Sequence, residues 1–278
     1  MTTPAKPEPA NAEGNTAAKK TEDNSSEMPK IHIHGLSVRY SDGTESLQDI
    51  HLDIPAHEIT VLFGPSGGGK STLLRTLNRL NDLADVVSLS GIVRIDDVDV
   101  LDPKLDVIEL RRRVGMVFAR PVVLPMSIRA NLTYGLELGG ERSQDRFDEA
   151  IERSLKAAAL WEEVHDRLDE PAVSLSGGQQ QRLCLARVLA LEPDIILLDE
   201  PTSGLDPIST GKVEASLQHL KQDYTIVLVP HSIQQAARVA DYAAFFLGGQ
   251  LVEFGMGQEL FLKPMDPRTQ DYLEGRFG

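Results

Sequence analysis

A single cysteine, Cys184, stands in a chain of 278 residues, so no internal disulfide is possible and a reducing compartment is expected. Its place inside a stretch of helical spacing makes it a small core residue rather than a reactive thiol. Basic residues are also few: 28 Lys and Arg against 42 Asp and Glu leave a formal net charge of −14. A protein that grips a nucleic acid neutralises phosphates with a basic face. Nucleic acid is therefore not an expected partner, and any phosphate bound here should belong to a small ligand. Long apolar runs are missing as well. The longest candidates, ITVLF and IILL, are strand-sized and fall short of the roughly 18–20 residues of a membrane span, so the chain is not expected to cross a bilayer alone. Residues 1–29 lack any aromatic residue or apolar run and read as a disordered N-terminal tail rather than a signal peptide. Beyond them, a hydrophobic content of 41% is enough for one large core or two modest ones.

From Lys30 onward three stretches, KIHIHGLSVRY, SLQDIHLDI and GIVRIDDVDV, alternate apolar and polar residues and predict half-buried strands of an antiparallel sheet. EITVLFGPSGGGKSTLLRTLNRL (58–80) has a different texture, a continuous apolar strand running through glycines into an amphipathic helix. PDIILLDEP (193–201) and YTIVLVPHS (224–232) are again apolar throughout and are followed by helical sequence. Buried strands alternating with helices imply a mainly parallel α/β sheet. Residues 121–190 show no convincing strand, and DRFDEAIERSLKAAALWEEVHDRL has helical periodicity. A helical subdomain inserted in the α/β core is expected there, within one body over 30–278.

Gly64-Pro65-Ser66-Gly67-Gly68-Gly69-Lys70-Ser71, with Thr72 after it, fits G-x-x-x-x-G-K-[ST] between a strand and a helix. In such a loop the backbone N–H groups wrap phosphates, Lys70 reaches the β- and γ-phosphates, and the Ser71 hydroxyl ligates Mg²⁺. Asp199 closes the strand Ile195–Leu198 and Glu200 follows it. A carboxylate at that strand end can hold the metal, and the next can orient or deprotonate an attacking water. An LLDE alone is also an ordinary strand end; the glycine loop is what favours the chemical reading. His231 ends the strand TIVLV, where it would face the γ-phosphate in a catalytic or sensing role, although a lone histidine is more often structural.

A second anion cradle is written in SLSGGQQQRLCLARVLA (174–190). Ser174 and Ser176 are candidate N-caps, Gly177 and Gly178 leave backbone N–H groups bare, and Leu183, Ala186, Leu189 and Ala190 keep helical spacing. Free N–H groups at the positive end of a helix suit a phosphate.

Together these residues resemble the ATP-binding-cassette (ABC) ATPases, whose signature LSGGQ is here Leu175–Gln179, and the P-loop, signature, strand-end carboxylates, SGLD (203–206) and His231 follow in the family's order. The resemblance implies a P-loop NTPase core of mainly parallel sheet, with an antiparallel β subdomain and an inserted α-helical subdomain, binding ATP and Mg²⁺. It further implies that two cassettes pair head to tail, so that Ser176, Gly177, Gly178 and Gln179 contact the ATP held on the partner's P-loop. Asp206 would then communicate across the interface, Asp199 and Ser71 serve the metal, and Glu200 and His231 serve the chemistry. Tyr40, at the end of the first strand, matches the adenine-stacking aromatic, with structural packing as the alternative.

Several stretches, among them VGMVFARPVVLPMSI (114–128), KAAALWEEVHDRL (156–168), QQAARVADYAAF (234–245) and the ending DYLEGRFG, are similar to the ATPase subunit of the bacterial phosphate-specific importer. That implies a homodimer beneath two transmembrane permease subunits, peripheral on the cytoplasmic face of the inner membrane, with an extracytoplasmic phosphate-binding protein as an indirect partner. Two positions depart from the pattern. Ala119 stands where the family has a glutamine that helps hold Mg²⁺ and the attacking water, and Pro230 stands where threonine precedes the histidine. Ala119 motivates a rival expectation, a nucleotide-binding regulatory subunit with weak hydrolysis. A cassette acting on DNA or ribosomes fits less well, because those carry two cassettes or a long coiled coil.

Overall fold

The computed structural model describes residues 1–2 and 29–276, so most of the expected tail and the last two residues lie outside the described residues. The first elements are β1 (Ile31–Tyr40), β2 (Glu45–Ile54), β3 (Ile59–Phe63) and α1 (Lys70–Leu77). They are followed by β4 (Val86–Ile95), β5 (Val98–Asp99), α2 (Val107–Arg113) and β6 (Val114–Val117). Four helices come next, α3 (Ile128–Leu138), α4 (Gln144–Ala157), α5 (Trp161–Val164) and α6 (Gly177–Leu189). The chain then runs β7 (Ile195–Asp199), α7 (Pro207–Leu220), β8 (Thr225–Val229), α8 (Ile233–Val239), β9 (Tyr242–Leu247) and β10 (Gln250–Met256). It closes with α9 (Gly257–Leu262) and α10 (Pro267–Leu273).

Alternation builds the smaller sheet, an antiparallel array in the order β2-β1-β4-β5. In β1 the buried positions are Ile31 and Ile33, then Leu36 and Val38. The phase slips by one residue at Gly35, which sits at φ 63 beside a register shift against both neighbouring strands. Because side chains alternate with a period of two, the extra residue is what returns Leu36 and Val38 to the core face. The third predicted strand needs correction. It starts earlier, at Val86, and breaks where Asp96 takes φ 52, so that Val98 turns back to pair with Ile95.

The larger sheet has the order β10-β9-β3-β8-β7-β6, with β9, β3, β8, β7 and β6 mutually parallel and β10 antiparallel at the edge. All residues of β3 and β8 are buried, as expected for strands covered on both faces. Successive residues serve two cores. Ile59, Val61, Phe63, Ile196 and Leu198 face the core shared with α6, α7 and α8. Leu62, Ile195 and Leu197 face the other, where Leu73, Leu74 and Leu77 of α1 pack between the two sheets. Between β6 and β7 the regular elements of the described chain are helices joined by loops, with one isolated bridge, Ser127 to Pro171. There α6 packs on β6, α3, α4 and α7, and Cys184 is buried in that core, where desolvation pushes its thiol pKa up.

Candidate functional site

Parallel strands end on one side of the larger sheet, and the loops leaving β3 and β7 meet there. The loop after β3 depends on glycine. A Cβ at Gly64, at φ 134, would lie 2.0 Å from the Phe246 carbonyl oxygen, and one at Gly69, at φ 97, would lie 2.3 Å from that of Ser46. Neither space nor backbone conformation admits another residue. Lys70 folds back over the loop and donates from Nζ to the carbonyls of Gly64 at 2.9 Å and Pro65 at 2.8 Å. Burial lowers its pKa, partly opposed by the nearby carboxylates of Glu200 and Asp199. Ser71 Oγ donates to Asp199 Oδ1 at 3.0 Å.

Thr72 anchors the first turn of α1 sideways. Its hydroxyl is 2.7 Å from that of Ser46 and 3.2 Å from that of Tyr40. Tyr40 itself is half-buried against the inter-sheet core, so its ring packs and its hydroxyl is tied beside the P-loop helix. Glu200 takes φ 49, a left-handed conformation that costs a non-glycine residue about 1–2 kcal/mol. Its N–H donates to the Val229 carbonyl at 2.9 Å, which extends the β7–β8 ladder by one rung and fixes the turn. The result is a cleft of about 220 Å³ lined by Ser46, Ser66 to Thr72, Glu200 and Val229.

His231 lies two residues past the end of its strand. β8 ends at Val229, and Pro230, which has no N–H to continue a ladder, separates the histidine from the strand. The His231 side chain is exposed and is not among the residues lining the cleft. Its N–H donates to Gln235 Oε1 at 2.9 Å, and Thr202 Oγ1 donates to the same oxygen at 3.1 Å. Gln235, buried at the start of α8, thus ties the loops after β7 and β8 together. Sequence reading missed it, because nothing in QQAARV marks one glutamine as different from its neighbour. Gln181 is similar: its Nε2 donates to the Phe118 carbonyl at 2.9 Å and holds the bend that contains the half-buried Ala119.

The second glycine motif is capped by Ser176 alone. Ser176 Oγ accepts the Gln179 N–H and the Gln179 side chain accepts the Ser176 N–H, a reciprocal capping box. Ser174 is not a cap: it ends a short 3₁₀ turn and its hydroxyl donates to the Pro171 carbonyl at 2.7 Å. A Cβ at Gly178 would sit 2.5 Å from Ser209 Oγ, so α6 and α7 start in close contact, whereas Gly177 faces open space. Ser176 and Gly177 are exposed, and no residue of 176–179 lines the P-loop cleft. Asp206 caps α7, accepting from the N–H groups of Ile208 and Ser209 and, at 2.6 Å, from the Ser209 hydroxyl. Those bonds hold its carboxyl below the usual range. The structure therefore gathers the P-loop, Asp199 and Glu200 into one place and leaves the signature residues outside it.

Residues 47–203, more than half of the chain, match the family model described as ABC transporter, a span that includes the P-loop, the signature, Asp199 and Glu200. The solved structure of cbiO1 from Clostridium perfringens, part of the ABC transporter complex cbiONQ, is similar with a TM-score of 0.75 and 26% identity, over 90% of this chain and 97% of that one. The ATP-binding cassette MJ0796, solved as a dimer in a post-hydrolysis state bound to ADP and Pi, is similar with a TM-score of 0.70 and 28% identity, over 82% of this chain and 99% of that one.

Proposed function

Because this chain belongs to the ABC transporter family, we propose that it is the ATP-hydrolysing subunit of an importer for inorganic phosphate, acting as a homodimer through two composite ATP sites. The observation that carries the dimer is the separation of the two glycine motifs: the signature turn is exposed and contributes nothing to its own chain's P-loop cleft. A second cassette docked head to tail, which we take to be a second copy of this chain, would bring the two together. MJ0796 is seen as a dimer with ADP and Pi, and cbiO1 is part of a multi-subunit transporter; both support this reading. The choice of phosphate rests on the sequence stretches named above, since neither neighbour is described as a phosphate importer.

In the proposed cycle the loop N–H groups and Lys70 bind the ATP phosphates, trading the Gly64 and Pro65 carbonyls for phosphate oxygens. Glu200 takes the proton of the attacking water. The oxygen-only pair of Ser71 hydroxyl and Asp199 carboxylate, 3.0 Å apart, suits a hard cation such as Mg²⁺. Mg²⁺ bound there would neutralise phosphate charge. Tyr40, beside the first turn of α1, would border the base. Closure of the dimer on ATP and reopening after hydrolysis form a two-state switch biased by ligand contacts. Its output would pass to two transmembrane permease subunits, with an extracytoplasmic phosphate-binding protein beyond them. The subunit would sit peripherally on the cytoplasmic face of the membrane. Among the described residues no helix is long and apolar enough to cross one.

A second reading, a regulatory subunit with weak hydrolysis, is favoured by Ala119, which has no polar atom to offer the metal or the water. Losing a positioning group of that kind costs roughly 10²-fold in rate, about 2.7 kcal/mol. Steady-state kcat of the wild type and of Ala119→Gln, each with and without permease chains, separates the two. The importer reading expects turnover stimulated by the permease in the wild type. The regulatory reading expects slow turnover in both conditions and a gain on Ala119→Gln. A wild type as fast as the variant without permease leaves Ala119 with no catalytic meaning.

A further inference from the structure

Glu163, in the short helix α5, is the meeting point of side chains from two other helices. Its carboxylate accepts from Arg182 Nη1 at 2.8 Å and Nη2 at 3.0 Å, from Gln179 Nε2 at 3.0 Å, and from Lys212 Nζ at 2.5 Å. Arg182 and Gln179 lie on α6, and Lys212 lies on α7. The fork is built around a buried cation: the Arg182 side chain is 3% exposed, and its guanidinium also donates to the Ala159 carbonyl just past α4 and to the Gly178 carbonyl within the signature. A buried charge is tolerated only when paired and fully hydrogen-bonded.

Gln179 uses both ends of its amide. Oε1 accepts the Ser176 N–H at 3.0 Å and closes the capping box, while Nε2 donates to Glu163. An ordinary capping box accepts Glu or Gln at this position. Here a glutamate would set carboxylate against carboxylate. The turn that presents Ser176 and Gly177 to the outside is thus tied to α5 by one hydrogen bond, and to α7, whose N-cap is Asp206, by the same carboxylate through Lys212.

We propose that Glu163 is a positioning residue for the signature turn, holding Ser176–Gln179 and the Asp206 end of α7 in one fixed arrangement against the partner's nucleotide. The proposal rests on the composite-site reading above. Glu163 touches no nucleotide itself and acts through Gln179, Arg182 and Lys212.

The test measures kcat, ATP-driven dimerisation and the nucleotide affinity of the isolated monomer for wild type, Glu163→Gln, Gln179→Ala and the double variant. A signature turn released by about 1 Å is expected to lose on the order of 10²-fold in kcat and to weaken ATP-driven dimerisation, with the nucleotide affinity of the isolated monomer unchanged. The double variant should be no worse than the poorer single variant, because both substitutions break one chain of contacts. Lys212→Ala, which leaves the Arg182 pair intact, should fold in any event and lower kcat by a smaller factor. Wild-type kcat in Lys212→Ala or in folded Glu163→Gln overturns the proposal, as do a fall in monomer affinity that matches the fall in kcat and losses that multiply in the double variant. A wild type that hydrolyses ATP as a monomer overturns the composite-site reading and this proposal together; a wild type that dimerises normally beside an unaffected Glu163→Gln overturns this proposal alone.

Discussion

Ser71 and Asp199 are 128 residues apart in sequence, and their side chains meet at 3.0 Å, hydroxyl donating to carboxylate. The contact locks the first turn of the P-loop helix to the end of β7. It places Glu200, the next residue, on the rim of the same cleft in a left-handed turn that the Val229 carbonyl pins in place. Backbone strain at that residue is consistent with a site whose geometry is fixed before the ligand arrives.

Replacing Glu200 by glutamine keeps its size and hydrogen-bonding capacity and removes the base. ATP binding and dimer closure are expected to persist while turnover stops. Size-exclusion chromatography with ATP and Mg²⁺ should show a lasting dimer peak. A Glu200→Gln protein that binds ATP and stays monomeric would argue against closure on the partner's signature.

The carboxyl of Glu163 is held down to about 2 from an ordinary value of 4.5, chiefly by the Arg182 hydrogen bonds, with Lys212 and Gln179 adding to them against the opposing effect of burial. A depressed pKa means that the folded state favours the ionised form. Its contribution to stability is complete above about 4.5 and is lost as pH falls toward about 2. The difference in unfolding free energy between wild type and Glu163→Gln should therefore be flat from pH 7 to 5 and close progressively below that. A difference independent of pH down to the acid limit would mean that the charge at Glu163 is not what stabilises the fork.

Much of this was legible in the sequence because it is local. The continuous apolar runs of β3, β7 and β8, the glycine spacing of the P-loop and the alternation in β1 and β2 each declare an element without knowledge of its neighbours. The antiparallel sheet beside a parallel one follows from those two textures. What escaped was long-range or set by a single backbone angle. No pattern in DDVDV shows that Asp96 adopts a positive φ and ends β4. Between Ser174 and Ser176 the choice of cap was settled by Gln179, whose side chain lies within reach of the Ser176 N–H. His231 read as the end of the strand TIVLV, yet Pro230, which cannot extend the ladder, stands between them. The tethering roles of Gln181, Gln235 and Glu163 depend on partners 63, 33 and 49 residues away, distances at which one sequence carries no pairing information.

If the two glycine motifs of one chain serve different nucleotides, two inactive variants should complement each other when mixed. Lys70→Ala should abolish ATP binding in the monomer, and Ser176→Arg should leave monomer binding intact while blocking closure. Neither protein alone should form an ATP-dependent dimer. Mixed, they can assemble one intact site, from the P-loop of the Ser176→Arg chain and the signature of the Lys70→Ala chain. Some ATP-dependent heterodimer should appear in the mixture; its complete absence, with both proteins folded, would show that both motifs act on the same nucleotide.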